Sequence, residues 1–186
     1  EKKRGVGIAM GGFNTGDPID VAYIDLELCE DGSFINYNTW EDQGQCAESG
    51  VLLHTYEALR PMNVPLEKIK TVMNDTMTCP DTGIAAGSRL HYFTGLATLD
   101  AAEKLMNAMR KDDGTYRTYE EMVAEGIPTR YQGVGSSRTG LDNLDVNRGE
   151  GDPWPEVMYT IFMAEVEVDT QTGATKVDKL TLVGDV

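Results

Sequence analysis

The sequence is poor in the residues that bind metals or staple small folds: three cysteines and two histidines occur among 186 residues. Cys29, Cys46 and Cys79 form no CxxC pair and leave one thiol over, which argues against a disulfide framework and against a zinc or iron–sulfur site inside the chain. This usage fits a reducing compartment, so a cytoplasmic location is expected. No apolar run approaches the length needed to cross a bilayer as a helix, and nothing points to a membrane. Basic residues are also scarce, 16 against 31 acidic ones, for a formal net charge of −15. A nucleic-acid backbone would be repelled unless the cations were gathered on one face. The clearest cluster, Lys2-Lys3-Arg4, reads instead as a solvated lead-in to a strand. His54 and His91 lie in helical patterns with no Ser/His/Asp or His/carboxylate partners, so packing accounts for them.

What is present is a chain with 40% hydrophobic residues, long enough to enclose a core, with the composition of a soluble globular protein. It opens on Glu1 rather than Met and reads as a piece of a longer polypeptide. Residues 4–10 have strand character and run into Gly11-Gly12-Phe13-Asn14-Thr15-Gly16-Asp17-Pro18, which has the composition of a loop. In residues 21–28, Ala22, Ile24, Leu26 and Leu28 alternate with Tyr23, Asp25 and Glu27. Asp31-Gly32 then turns the chain into a second strand over residues 33–40, giving a hairpin with one face buried. Leu52, Tyr56 and Leu59 place an amphipathic helix over residues 48–60, ended by Pro61.

Residues 69–73 form a short strand. A long helix starts near Gly87-Ser88, its buried stripe being Phe93, Ala97, Ala101, Leu105 and Met109. Thr118-x-x-Glu121 is a capping box for a short helix over residues 119–124. Residues 133–154 lack any period and are expected to form a long loop. Residues 157–169 and 174–183 flank the turn Thr170–Gly173 as a second hairpin. Its apolar run 158–164 is expected to be central and covered on both faces. The sum is an α+β fold, mixed sheets and hairpins with two or three packed helices, and no internal repeat.

Two segments put small residues where an anionic ligand could reach the backbone. Gln43-Gly44-Gln45-Cys46-Ala47-Glu48 lies between a strand and a helix, and such a turn lets N–H groups approach phosphate-like oxygens with help from the helix dipole. Gln45 adds an amide that both donates and accepts. Thr82-Gly83-Ile84-Ala85-Ala86-Gly87-Ser88-Arg89 enters the long helix, with Ser88 offering a hydroxyl and Arg89 a permanent charge. Each taken alone is more often an ordinary helix start, and the two together in one chain shift the balance. Cys46 sits where a helix dipole acts on a thiol, although a small, buried packing role is the simpler expectation. Gly11–Gly16 matches neither GxGxxG nor the phosphate loop and reads as a structural turn.

At the same two segments the sequence resembles a known family. Arg4-Gly5-Val6-Gly7, Gly11-Gly12-Phe13-Asn14-Thr15-Gly16, Asn38-Thr39-Trp40-Glu41-Asp42-Gln43-Gly44-Gln45, Glu57-Ala58-Leu59-Arg60-Pro61-Met62, Ala86-Gly87-Ser88-Arg89 and Phe162-Met163-Ala164-Glu165-Val166 occur in the order found in molybdopterin-binding regions of aldehyde oxidoreductases of the xanthine dehydrogenase type. The resemblance covers most of the chain. It implies that residues 1–186 are a fragment of a larger molybdenum-cofactor-binding domain. The enzyme it implies is a molybdenum hydroxylase that oxidises aldehydes or N-heterocycles with oxygen from water. Molybdenum would be held by molybdopterin, as its cytosine dinucleotide, and electrons would pass to iron–sulfur clusters in other parts or subunits. By the same resemblance Gly44, Gln45, Cys46, Ala86, Gly87, Ser88 and Arg89 contact the cofactor. No residue here is expected to be catalytic or to ligate metal, because the family's catalytic glutamate lies in a Gly-rich motif outside these residues.

Two departures stand out. Cys46 replaces a glycine, which costs energy if φ is positive there, and Leu90 stands where some relatives carry a glutamine. Implied partners are the rest of the cofactor-binding chain, an iron–sulfur domain or subunit and a small aldehyde or heterocycle, with a homodimer of the full enzyme also open. A noncatalytic assembly module keeping the same fold is the alternative, and an unrelated small α+β enzyme is a third.

Overall fold

A computed structural model describes residues 1–138 and 140–185. The chain divides into two compact units, Glu1–Thr15 with Glu156–Val186, and Gly16–Pro155. Among the described residues no helix is long and apolar enough to cross a membrane.

The first unit is a three-stranded antiparallel sheet in which β6 (Glu156–Asp169) lies between β1 (Lys2–Thr15) and β7 (Thr175–Asp185). The Gly-rich stretch expected to loop out after residue 10 is instead the second half of β1, paired without a break from Lys2 opposite Asp169 to Thr15 opposite Glu156. The ladder supplies partners for backbone groups that a loop would leave to water, and this outweighs the poor strand propensity of glycine. The run over residues 158–164 is central, as its apolar character implied, but is not covered on both faces: Ile161 is 45% and Phe162 41% exposed. Sequence reads how apolar a strand is, not which element lies over it.

In the second unit a four-stranded sheet has the order β4 (Ile69–Met73), β3 (Phe34–Asn38), β2 (Val21–Leu28), β5 (Arg130–Ser136). β2 and β3 form the expected hairpin, with Gly32 at φ 72 in its turn. β3 runs parallel to β4 and β2 antiparallel to β5. Ala22, Ile24, Leu26 and Leu28 are buried in strict alternation. Over them lies α2 (Arg89–Met109), whose Phe93, Ala97, Ala101, Leu105 and Met109 are all buried. α3 (Tyr119–Glu125) starts at the Thr118/Glu121 capping box and stops at left-handed Gly126.

One expectation about this unit fails because of close backbone approach. Residues 133–136, assigned to a loop, belong to β5. A Cβ on Gly133 would lie 1.9 Å from the Ala97 carbonyl oxygen, and one on Gly135 1.9 Å from that of Phe93. These glycines let a helix rest on a strand. The side chains of α2 also block that strand's outer edge: Asp100 accepts from the Val134 amide at 2.8 Å and Lys104 donates to the Gln132 carbonyl at 3.0 Å. α1 (Ala47–Ala58) buries Ala47, Val51, Thr55 and Ala58, whereas Tyr56, assigned to its inner face, is 42% exposed. The rest of the stripe expected there does face inward: Leu59 is buried and Leu52 packs partly buried against the core. Thr55 accepts from the buried Asn36 amide at 3.0 Å, and Thr98 of α2 accepts from it at 3.2 Å, tying both helices to β3.

Candidate functional site

The chain reaches α1 from β3 through residues 39–46, and reaches α2 through residues 82–88. Each approach ends in a left-handed residue that is not glycine, Cys46 at φ 63 and Ser88 at φ 55. Neither residue caps its helix with its side chain. First-turn N–H groups of such a helix are left for other partners. Gly44 at φ 100 and Gly87 at φ 54 supply the remaining left-handed positions, where a side chain would be strained. The condition attached to Cys46 is therefore met: it holds a conformation that favours glycine. Its thiol is exposed, which corrects the expectation of a buried packing role.

Hydrogen bonds join the two turns. Gln43 donates from Nε2 to the Ala85 carbonyl at 3.3 Å. Beneath them the Thr39 amide donates to the Thr82 hydroxyl at 2.8 Å, the Thr82 amide donates to the Thr39 hydroxyl at 2.9 Å, and the Thr82 hydroxyl donates to the Tyr23 carbonyl at 3.0 Å. The Gly16 amide donates to the Gly87 carbonyl at 3.1 Å. The segments singled out in sequence are thus neighbours: Gly44, Gln45, Cys46, Ala86 and Ser88 are exposed and Gly87 is half-buried.

The first turn already holds an anion. The Asp42 carboxylate accepts from the amides of Gly44 at 2.6 Å and Ala47 at 3.0 Å, the interaction a helix start offers to negative charge. Gln45 braces the turn, donating to the Glu41 carbonyl at 2.8 Å and accepting from the Gln43 amide at 2.6 Å. In the second turn the guanidinium of Arg89 points inward and only 9% of the side chain is exposed. Its charge meets Asp20 at 2.7 Å, not a site open to a ligand. Sequence reasoning gave no role to Asp20 or Asp42, and named Gln43 only as part of its segment. The Asp42-x-Gly44 pattern is a local turn signal that could have found Asp42, whereas Asp20 and Arg89 are joined only by folding.

Behind the turns Trp40 stacks on His54 with centroids 5.8 Å apart, and His54 tilts against His91 at 4.6 Å. Ala47, Val51 and Leu90 bury Trp40. Burial, and then neighbouring His91, push the His54 imidazole down from 6.5 to about 4, so it is neutral at pH 7. Among the described residues, the Nδ1 of His54 and Oε2 of Glu41 are buried without a hydrogen-bond partner. Among the described residues no group of three or more His, Cys, Asp or Glu is placed to hold a metal ion. The two turns expose backbone N–H groups at helix starts, the kind of donor that an anionic ligand group uses.

Comparison with known proteins places the chain in a family. The family model described as the molybdopterin cofactor-binding domain matches residues 1–186. Aldehyde oxidoreductase of Megalodesulfovibrio gigas is 42% identical over 184 residues, covering 98% of this chain and 20% of that protein. Aldehyde oxidase 4 of Mus musculus is 30% identical over 188 residues, covering 94% and 13%. The crystal structure of the aldehyde oxidoreductase from Desulfovibrio desulfuricans superposes with a TM-score of 0.90 at 42% identity, covering 100% of this chain and 20% of that one. CO dehydrogenase from Oligotropha carboxidovorans, at 16% identity and a TM-score of 0.70 over 98% of this chain and 26% of its own, shares the fold. The chain spans about a fifth or less of the curated relatives it matches.

Proposed function

The chain belongs to the molybdopterin cofactor-binding domain family, and on that footing we propose that it forms part of the cofactor-binding wall of a molybdenum hydroxylase oxidising aldehydes or N-heterocycles with oxygen drawn from water. The observation that carries the reading is the pairing of two exposed, small-residue turns, each opening a helix from a left-handed residue and joined by Gln43 and the Thr39–Thr82 exchange.

In this reading Gly44, Cys46, Ala86, Gly87 and Ser88 bring the main chain close to the pterin and to the diphosphate of its cytosine dinucleotide form. Gln45 holds the first turn in shape and offers its remaining hydrogen-bonding capacity, and Arg89 belongs to the site as the residue that starts α2. The dipoles of α1 and α2 favour the ligand's negative charge. When bound, the molybdenum pterin supplies the redox chemistry, and electrons leave to iron–sulfur clusters on other parts or subunits. This chain binds and orients; the proton-accepting group lies outside it. The protein works in the cytoplasm, on a small aldehyde or heterocycle, as part of a larger assembly.

One observation favours a noncatalytic module instead: the Gln45 amide bonds within its own turn. Gln45→Ala and Ser88→Val in the full-length protein separate the two readings. The cofactor reading expects molybdenum and pterin content to fall together in both variants. A folded protein whose metal and pterin contents are unchanged by either substitution would support the noncatalytic module.

A further inference from the structure

We infer that Arg89 and Asp20 are a positioning pair for the second cofactor turn, acting through the backbone of residues 82–88 rather than by touching the ligand. This rests on the cofactor-binding reading above.

An arginine carries five N–H donors in a rigid fork, and here the protein uses every nitrogen of that fork. Nε donates to both oxygens of Asp20 at 2.8 Å. Nη2 donates to the Val21 carbonyl at 2.7 Å and pairs with Asp20 Oδ1 at 2.7 Å. Nη1 donates to the carbonyls of Thr82 at 3.0 Å and Ile84 at 2.9 Å. One side chain therefore binds the start of β2 and two successive points on the segment leading to Ala86, Gly87 and Ser88.

No space is left for slack. A Cβ on Gly83 would lie 2.7 Å from Nη1, and one on Gly16 would lie 3.2 Å from Asp20 Oδ2. The segment needs such a hold, because Gly87 and Ser88 are both left-handed and Ser88 is not stabilised by capping its helix. The Gly87 carbonyl is fixed from the same side by the Gly16 amide. A ligand gripped by backbone is sensitive to small displacements, so the fork sets affinity without contact. Lysine cannot replace it, because a single ammonium cannot reach Asp20, Val21, Thr82 and Ile84 in one plane.

The test uses the full-length holoprotein with Arg89→Gln, Arg89→Lys and Asp20→Asn. Arg130→Gln, which breaks the Arg130–Asp25 ion pair elsewhere on the same sheet, is the structural control. The readouts are the rate of pterin release, followed by fluorescence of the oxidised pterin, and amide exchange of the peptide spanning residues 82–88. Release is expected to quicken about 10–100-fold in Arg89→Gln and Arg89→Lys, with faster exchange in that peptide, while Arg130→Gln releases at the wild-type rate. Ethylguanidinium added to Arg89→Ala should slow release again.

Wild-type release from Arg89→Gln, accompanied by the same loss of thermal stability as Arg130→Gln, would reduce the pair to a structural contact. Wild-type release from Arg89→Lys would instead mean that charge alone matters and overturn positioning by the fork. If Arg89→Gln does not accumulate, Asp20→Asn, which removes the charge at constant size, decides the matter on the same readouts. A wild-type protein without pterin would defeat the cofactor reading; unchanged exchange at residues 82–88 in the variants would then separately defeat the pair's hold on the turn.

Discussion

Replacing Gly135 with alanine should damage both the fold and the site, by an amount that can be worked from one contact. The new Cβ would start 1.9 Å from the Phe93 carbonyl oxygen and 2.8 Å from the Ala97 nitrogen. Both are helix backbone and cannot rotate away, so restoring ordinary contact requires β5 and α2 to separate by about 1.5 Å, a severe case of overpacking that costs about 3 kcal/mol or more. The separation is transmitted along α2, because the helix is a single element from Arg89 to Met109 and the proposed second cofactor turn, residues 82–88, leads directly into it. Urea denaturation and native-state hydrogen exchange at residues 130–136 read the cost; pterin retention reads the consequence at the site. Gly133→Ala should behave alike, and trimming Ala101 to glycine should not rescue it, because two of the three nearest atoms are backbone, the Ala97 carbonyl oxygen and the Ala101 nitrogen. A loss below about 0.5 kcal/mol for Gly135→Ala, the scale of an ordinary surface change, would refute the claim that these glycines exist to seat the helix.

Three further outcomes follow from the same geometry. Because burial lowers the folded-state pKa of His54 from 6.5 to about 4, the stability tied to its neutral ring is fully present above pH 6.5 and is lost as pH falls towards 4. The shift sets a ceiling of about 3 kcal/mol, reduced to about 1–2 by solvent at the ring's exposed edge, and His54→Met should flatten the unfolding profile between pH 6.5 and 4. Cys46→Gly relieves a left-handed residue and should raise stability by about 0.5–1 kcal/mol, seen as a higher thermal midpoint; a lower one would contradict the strain assigned there. Asp42→Ala removes the carboxylate bound by Gly44 and Ala47 and should cost about 1 kcal/mol, with faster amide exchange at those two residues.

Much of this was written in local pattern. The period-two alternation of residues 21–28, the four-residue stripe of α2 and the Thr118/Glu121 box each depend only on near neighbours in sequence. The two turns proposed to hold the cofactor could be singled out for a similar reason, since small residues between a strand and a helix are a local signature. What escaped depends on distant partners. Gly133 and Gly135 resemble loop residues until α2 is laid on them, β1 resembles a loop past residue 10 until β6 is paired with it, and Tyr56 reads as inward-facing although it lies 42% exposed. Arg89 is the sharpest instance: its charge invited a ligand, and its fork is filled by Asp20 and three backbone carbonyls that only folding brings within reach.

The most direct measurement of the central claim is the molybdenum content, together with pterin fluorescence after oxidation, of the intact protein purified from a host that makes the cofactor. The account predicts close to one molybdenum and one pterin per protomer. A well-folded protein containing neither would contradict it.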